Sequence, residues 1–489
     1  MLASALLVGG LLGVVMQRGR FCVTGMLRDV FLQGTGRGLV AFFVVIAVHA
    51  VGLTALMSFG VIAPEWRSFH PVAVIVGGFI FGLAIILAGG CASGTWYRSA
   101  EGLVGSWLAL VFYGLSAAAM KSGALQGVNA WFNQWDSGLT TLPQAFGVSP
   151  WWFVVPFALA TAWAVRFYLL RDAANPKVTL EQSWPARPLH PYLAGALIGV
   201  LGVIAWPLSA ATGRNDGLGI TTPSAHVMGY TVTADPKYLN WGTLLVIGLF
   251  IGAFIAAKAT GEFRVRVPDA RTAVRAIVGG IGMGIGASLA GGCTVGNGMV
   301  QTSLFSFQGW VAMVFIALGV YVGAKWWLTP AALEVVADDT YSTDESIRSA
   351  EDEVLHGELA EADGADSTPV KFRSATGVIT LPTQPDKRSV RPLGQGRYAL
   401  DTLGAVCPFP LIEAKQAIAQ LEPGERLVID FDCTQATESI PQWAADNGHG
   451  IEGFSRRGAA GWQITVVKDG AGLDAASKSD LSAGASVAQ

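Results

Sequence analysis

Ala290-Gly291-Gly292-Cys293-Thr294-Val295-Gly296-Asn297-Gly298 closes one apolar run, and about two hundred residues earlier Ala88-Gly89-Gly90-Cys91-Ala92-Ser93-Gly94 closes another. In both copies two glycines precede a cysteine and small or hydroxylated residues follow. That composition permits sharp turns and close approach of a ligand to the main chain. Non-helical backbone at membrane depth survives where protein buries it or where it lines a cavity. A repeated glycine-rich break therefore predicts a substrate pathway between two related halves. Close helix packing by small residues is the competing explanation for either copy alone. A cysteine at the same offset in both favours the pathway.

Of 489 residues, 52% are hydrophobic and 14% charged, the composition of a polytopic membrane protein. Residues 1–330 hold 19 Lys and Arg against 10 Asp and Glu, whereas residues 331–489 hold 13 against 25. The net charge of −3 thus joins a basic membrane portion to an acidic remainder. The basic portion speaks only weakly for an anionic substrate, because positive cytoplasmic loops are the default for inner-membrane proteins. Five cysteines, at 22, 91, 293, 407 and 433, form no CxxC pair, so neither a zinc site nor a disulfide scaffold is expected. No cofactor, metal ion or nucleic acid is expected either. Met1 to Val15 lacks a basic leader and a cleavage site and reads as a retained membrane segment.

Apolar runs fall at 2–16, 38–58, 71–89, 104–119, 151–170, 191–208, 241–257, 276–290 and 308–327. Several are shorter than the roughly 20 residues of a full span, as expected for helices that break inside the bilayer. Arg18, Arg20, Arg28 and Arg37 follow the first run, Arg166, Arg171, Lys177 and Arg187 the fifth, and Lys258, Arg264, Arg266, Arg271 and Arg275 the seventh. These loops are expected to be cytoplasmic, with the N-terminus outside and the C-terminal portion inside. Threaded this way, each half ends in a glycine-cysteine hairpin, one entered from outside and one from the cytoplasm. The expected fold is a polytopic α-helical membrane protein of inverted repeats with broken or re-entrant helices and a site near the midplane. A third cysteine lies in Arg18-Gly19-Arg20-Phe21-Cys22-Val23-Thr24-Gly25. Its counterpart, Gly213 to Thr221, has none.

Residues 331–396 read as an acidic tether, with twelve acidic residues against one arginine in 331–366 and a short helix expected near 349–360. Residues 397–468 read as a small α/β sandwich: a strand from Tyr398 to Thr402, a helix from Cys407 to Leu421, a strand from Arg426 to Phe431, a helix from Thr437 to Asn447, and strands at 450–456 and 461–467. Residues 469–489 are expected to be a disordered tail. Cys407 stands directly before its helix with Pro408 at the first position, where a missing N–H costs nothing. The free N–H groups and the helix dipole there stabilise a thiolate, so Cys407 is expected to be reactive, on a turn stiffened by Pro408 and Pro410. Cys433, at a strand end, reads as a passive residue before an accessory thiol.

Cys407-Pro408-Phe409-Pro410, Ile440-Pro441-Gln442-Trp443-Ala444 and Asn447-Gly448-His449 resemble the TusA-like sulfur-carrier family over nearly the whole small domain. That resemblance implies a β-α-β-α-β-β fold with Cys407 carrying sulfur as a persulfide. Many carriers have an acidic run in the loop before the second helix; here it is Cys433-Thr434-Gln435-Ala436-Thr437. Residues 1 to about 328 resemble the YeeE/YedE membrane proteins, whose characterised members take up thiosulfate, through Arg20-Phe21-Cys22 and the two glycine-cysteine breaks. The resemblance implies that Cys22, Cys91 and Cys293 line the path.

A thiosulfate dianion has a large, soft terminal sulfur that suits thiol donors, which are weak and release easily. A conducting path needs binding that is favourable enough to admit and weak enough to release. Helices restarting at about Thr95 and Asn297, just after Gly90 and Gly292, are expected to aim their N–H groups at the anion. The tethered Cys407 would then trap sulfur inside, and a cytoplasmic sulfur acceptor or reductant is an expected partner. Two alternatives are a thiol or sulfur relay through Cys22, Cys91 and Cys293, and carriage of another sulfur or selenium anion.

Overall fold

The computed structural model describes residues 2–66, 68–174, 178–180, 187–268, 270–328, 334–335, 389–403, 409–457 and 461–468. Among them, nine helical stretches are long and apolar enough to cross a membrane. The first half runs through α1 (Leu2–Arg18), α2 (Val23–Gln33), α3 (Arg37–Ser58), α4 (Pro71–Leu87), α5 (Ala92–Ala100) and α6 (Val104–Ser122). Short helices α7 (Gln126–Phe132) and α8 (Leu142–Phe146) and the long α9 (Trp151–Ala174) connect it to the second half. That half comprises α10 (Pro191–Ala210), α11 (Thr221–Thr233), α12 (Trp241–Ala259), α13 (Ala270–Leu289), a π-helical turn (Gly296–Gln301) and α14 (Phe307–Trp327). Proline opens both α4 and α10, where the missing N–H is harmless. Asn240 Oδ1 and Ser306 Oγ cap α12 and α14 by accepting from Thr243 N and Gly309 N.

Glycine sets the helix contacts. A Cβ on Gly9 or Gly13 would overlap the main chain of α12, at Leu245 and Leu249, so α1 and α12 lie backbone to backbone and parallel. Gly195, Gly199 and Gly202 meet Ala41, Val45 and His49 in the same sense, so α10 runs parallel to α3. Gly78 and Gly82 meet Ala312 and Ile316, making α4 parallel to α14; Gly280 and Gly284 meet Ala109 and Tyr113, making α13 parallel to α6. At the centre α4 and α13 cross antiparallel: Gly77 faces Ala290 and Gly279 faces Ala88. Each of these parallel pairings thus joins a helix of the first half to a helix of the second.

Helices α2, α5, α7, α8 and α11 all fall outside the apolar runs. Of these, α2 and α11 pack into the bundle. Both are partly polar, and α11 buries Thr221, Pro223, Ser224 and Ala225 against the bundle.

The small domain has strands β1 (Glu334–Val335), β2 (Ser389–Gly394), β3 (Arg397–Asp401), β4 (Arg426–Phe431), β5 (Gly450–Arg457) and β6 (Gly461–Val467), with helices α15 (Phe409–Gln420) and α16 (Ala436–Asp446). Sheet order is β1-β2-β3-β4-β6-β5; β3 and β4 are parallel, and β6 is antiparallel to both β4 and β5. From β3 onward the order is β-α-β-α-β-β, and β2 adds an antiparallel strand drawn from the stretch read as tether. Its core is Leu400, Leu411, Ile418, Ile429, Phe431, Ile440, Trp462 and Val466. The helix expected near 349–360, Cys407 with Pro408, and the tail lie outside the described residues.

Candidate functional site

The two breaks share one geometry. Gly89 (φ 71°) and Gly291 (φ 73°), each one residue before the glycine next to the cysteine, take the left-handed conformation that a side chain would strain. Gly90 and Gly292 follow them; a Cβ at Gly292 would press on Asn297 N at 3.1 Å. After the first break the helix resumes at Ala92, three residues ahead of the expected restart, because Cys91 already has the extended backbone of an N-cap residue (φ −76°, ψ 177°). After the second break the chain resumes as a π-helical turn from Gly296 instead of an α-helix. Such turns arise where a residue is inserted in a helix and are frequent at functional sites.

Asn297 holds this second turn. Its Nδ2 donates to the carbonyls of Ala290 (2.8 Å) and Gly292 (2.9 Å), and its Oδ1 accepts from Gln308 Nε2 at 2.8 Å. Thr95 likewise donates back to Ala92 O at 2.7 Å. Both side chains are thereby bound into the breaks.

Cys22 is the N-cap residue of α2, also in extended backbone. Cys22 and Cys91 therefore stand at two helix N-termini that converge, with their thiols side by side next to Gly94. Gly94 makes room for the pair: a Cβ there would lie 3.3 Å from Cys91 Sγ and 3.4 Å from Cys22 Sγ. Ser93 Oγ is 3.5 Å from Cys91 Sγ. Arg98, on α5, faces Cys22 and donates to the carbonyl of Gly89.

Cys293 belongs to a second cluster. Tyr113, wholly buried midway along α6, lies against the Cys293 thiol and donates to Thr221 Oγ1, the first residue of α11, at 2.8 Å. Val295 N donates to Cys293 Sγ at 3.4 Å. All three cysteines are buried.

Beside each cluster a buried hydroxyl lacks a hydrogen-bond partner: Thr24, two residues after Cys22, and Thr294, directly after Cys293. A buried hydroxyl without a partner is destabilising. Sequence reading singled out the cysteines but not Thr24, Thr294, Tyr113, Thr221 or Arg98. The available signal was Arg98 itself, an arginine between two apolar runs and seven residues after Cys91.

The small domain sits against the end of the bundle nearest Cys22. Arg20, in left-handed backbone (φ 47°), donates to Thr434 O at 2.7 Å and to Thr437 Oγ1, and pairs with Glu262 at 3.3 Å. Arg37 Nη1 pairs with Asp446 Oδ2 at 2.8 Å, Arg456 donates to Gly261 O at 3.3 Å, and Arg264 lies over the Trp462 ring. Of the turn expected to hold the sulfur-accepting Cys407, Pro410 is described, buried in the first turn of α15. Cys433, expected to be passive and unbridged, is buried after β4 and disulfide-bonded.

Residues 18–322 match the family described as Sulphur transport, and residues 398–468 match Sulfurtransferase TusA. The thiosulfate transporter TsuA of Escherichia coli is 44% identical over 336 residues, covering 67% of this chain and 94% of that protein. TsuA of Spirochaeta thermophila is 33% identical, covering 65% and 97%. The putative sulfur carrier protein TsuB of Escherichia coli is 61% identical over 69 residues, covering 14% and 92%.

Proposed function

The chain belongs to the sulphur-transport family and ends in a TusA-type domain, and from that premise we propose that it takes thiosulfate across a bacterial inner membrane and delivers sulfane sulfur to Cys407. The observation that carries the reading is the convergence of two helix N-termini on the Cys22–Cys91 pair, with an unpartnered Thr24 hydroxyl beside it and the carrier domain docked at that end. N–H groups, thiols, a hydroxyl and Arg98 together offset the desolvation of a dianion without one strong trap. The opposed directions of α4 and α13, and the matched parallel pairings around them, support an inverted repeat. In that frame the N-terminus and Cys293 lie toward the outside, and the carrier faces the cytoplasm. The anion passes Cys293 with Thr294, then Tyr113, then Cys91 with Cys22. Gly90 and Gly292 let it approach the main chain, while Thr95 and Asn297 hold the breaks in shape.

The Cys407 thiolate then attacks the sulfane sulfur. A sulfur–sulfur bond forms on the carrier, the original one breaks, and sulfite leaves with its electron pair. Charge balances with no external oxidant or reductant. A further cytoplasmic protein receives the persulfide sulfur.

A covalent thiol relay gains support from one observation, the contact between Cys22 and Cys91. Against it stands Tyr113 at Cys293, since a phenol cannot carry the sulfur atom onward. The test is growth of a sulfur-auxotrophic bacterium on thiosulfate as sole sulfur source. Alanine at Cys91 or Cys293 is expected to abolish growth, serine to preserve part of it, and Cys407→Ala to abolish persulfide on the carrier. Full loss with serine would favour the covalent relay; growth with both alanine variants would refute the cysteine-lined path.

A further inference from the structure

Behind Cys22, two carboxylates share one amide. Gln17 Nε2 donates to Glu262 Oε2 at 2.6 Å and to Glu101 Oε1 at 3.3 Å. All three residues are buried; Gln17 is 0% exposed, and its Oε1 has no hydrogen-bond partner. An ionised carboxylate offers that oxygen nothing, whereas a carboxylic acid has a proton to donate. The charged groups facing Glu101 are Arg98 from α5, Arg18 at the end of α1, Arg20 from the turn after it, and Glu262 from the segment after α12. Arg264, in that segment, donates its main-chain N–H to Glu101 O at 2.9 Å. Arg18 and Arg20 pair with Glu262 at 3.6 and 3.3 Å, and Arg98 faces both Glu101 and Cys22.

Three arginines and two ionised carboxylates leave this cluster with one positive charge. A proton on Glu101 makes it two, the complement of a dianion. Burial pushes the Glu101 carboxyl up to about 7 against the opposing pull of Arg98, so the proton exchanges in the range where the cell works.

Resting on the reading of the substrate as thiosulfate, we propose that Glu101 is a proton site coupled to the anion: with its proton on, the Cys22–Cys91 site holds the dianion, and with its proton lost toward the carrier side it releases it. Linkage makes the coupling reciprocal, so bound dianion favours the proton as much as the proton favours the dianion. Below about pH 7 Glu101 is neutral and the site binds; as pH rises through 7 the carboxylate forms and affinity falls. An inward proton gradient then drives uptake.

The full-length chain in liposomes tests this. Thiosulfate counterflow without a pH gradient reports transport itself. An exterior about two pH units more acidic than the interior is expected to accelerate uptake about tenfold, with proton entry seen by a trapped pH-sensitive dye. Glu101→Gln is expected to keep counterflow but lose the response to the gradient, and Glu101→Asp to retain it. Wild-type counterflow with neither acceleration nor proton entry would overturn the coupling and leave the uptake reading intact; so would a gradient response in Glu101→Gln. If Glu101→Gln fails to insert, the wild-type dye signal decides. Absence of wild-type counterflow would overturn the uptake reading itself.

Discussion

At the scale of single residues, the site is built from groups whose native contacts are incomplete. Thr24 and Thr294 are buried hydroxyls without partners, a condition that costs roughly 1–3 kcal/mol each. Valine has nearly the same shape and no hydroxyl. Thr24→Val and Thr294→Val are therefore expected to raise the unfolding temperature in detergent while lowering thiosulfate uptake by about tenfold, the worth of one well-placed hydrogen bond to a charge. A hydroxyl that merely packs would show neither change together with the other. Gly94 makes the complementary case. A methyl there stands 3.3 Å from the Cys91 sulfur, a tight contact, and 3.4 Å from the Cys22 sulfur, so the two buried side chains must give by a few tenths of an ångström. Gly94→Ala is expected to insert and melt normally, within about 1 kcal/mol, yet to reduce uptake by an order of magnitude or more.

At the scale of elements, the antiparallel crossing of α4 and α13 places both breaks. A Cβ on Gly286 would stand 2.5 Å from Phe81 N, and one on Gly77 the same distance from Ala290 N. Neither helix backbone yields without moving its break, so Gly286→Ala is expected to destabilise by roughly 1–3 kcal/mol, read as an earlier melting transition in detergent, and to displace Cys293 relative to Tyr113. Gly10, whose nearest obstacle is 3.9 Å away, tolerates alanine and serves as the control. The sequence already showed the long helices and both breaks, because hydrophobic length and glycine spacing are local signals. It did not show α2, α11 or the π-helical turn. Helices of 11 and 13 residues with threonines and an arginine carry no membrane signature, and their burial comes from neighbours distant in the chain. Tyr113 was hidden for the same reason. Within α6 it is one aromatic among many, and only the approach of Thr221 and Cys293 gives it a task.

At the scale of the whole molecule, the question is why a sulfur carrier is joined to a membrane bundle at all. Its strands and helices were legible from alternation and from the Cys-Pro-Phe-Pro turn, but its seat was not. A docking face is a relation between two surfaces, and Arg37 and Asp446, 409 residues apart, are each unremarkable alone. Together they form a two-pronged contact, Nη1 to Oδ2 at 2.8 Å and Nη2 to Oδ1 at 3.3 Å, with the arginine side chain 13% and the aspartate 18% exposed. A charge pair so enclosed is little screened by salt, and loss of one partner leaves the other poorly solvated. Tethering raises the local concentration of the carrier, so its seat needs only modest intrinsic affinity, and single contacts then decide how long it stays. The prediction follows from a protease site placed in the tether of the intact chain. After cleavage the carrier is expected to co-elute with the bundle, and Arg37→Ala or Asp446→Ala to weaken retention about tenfold each. The double variant should be no weaker than either single, because the two residues act on one another. Additive losses would mean that Arg37 serves its other partner, Asp172, and that Arg20 with Thr434 and Thr437 holds the carrier instead.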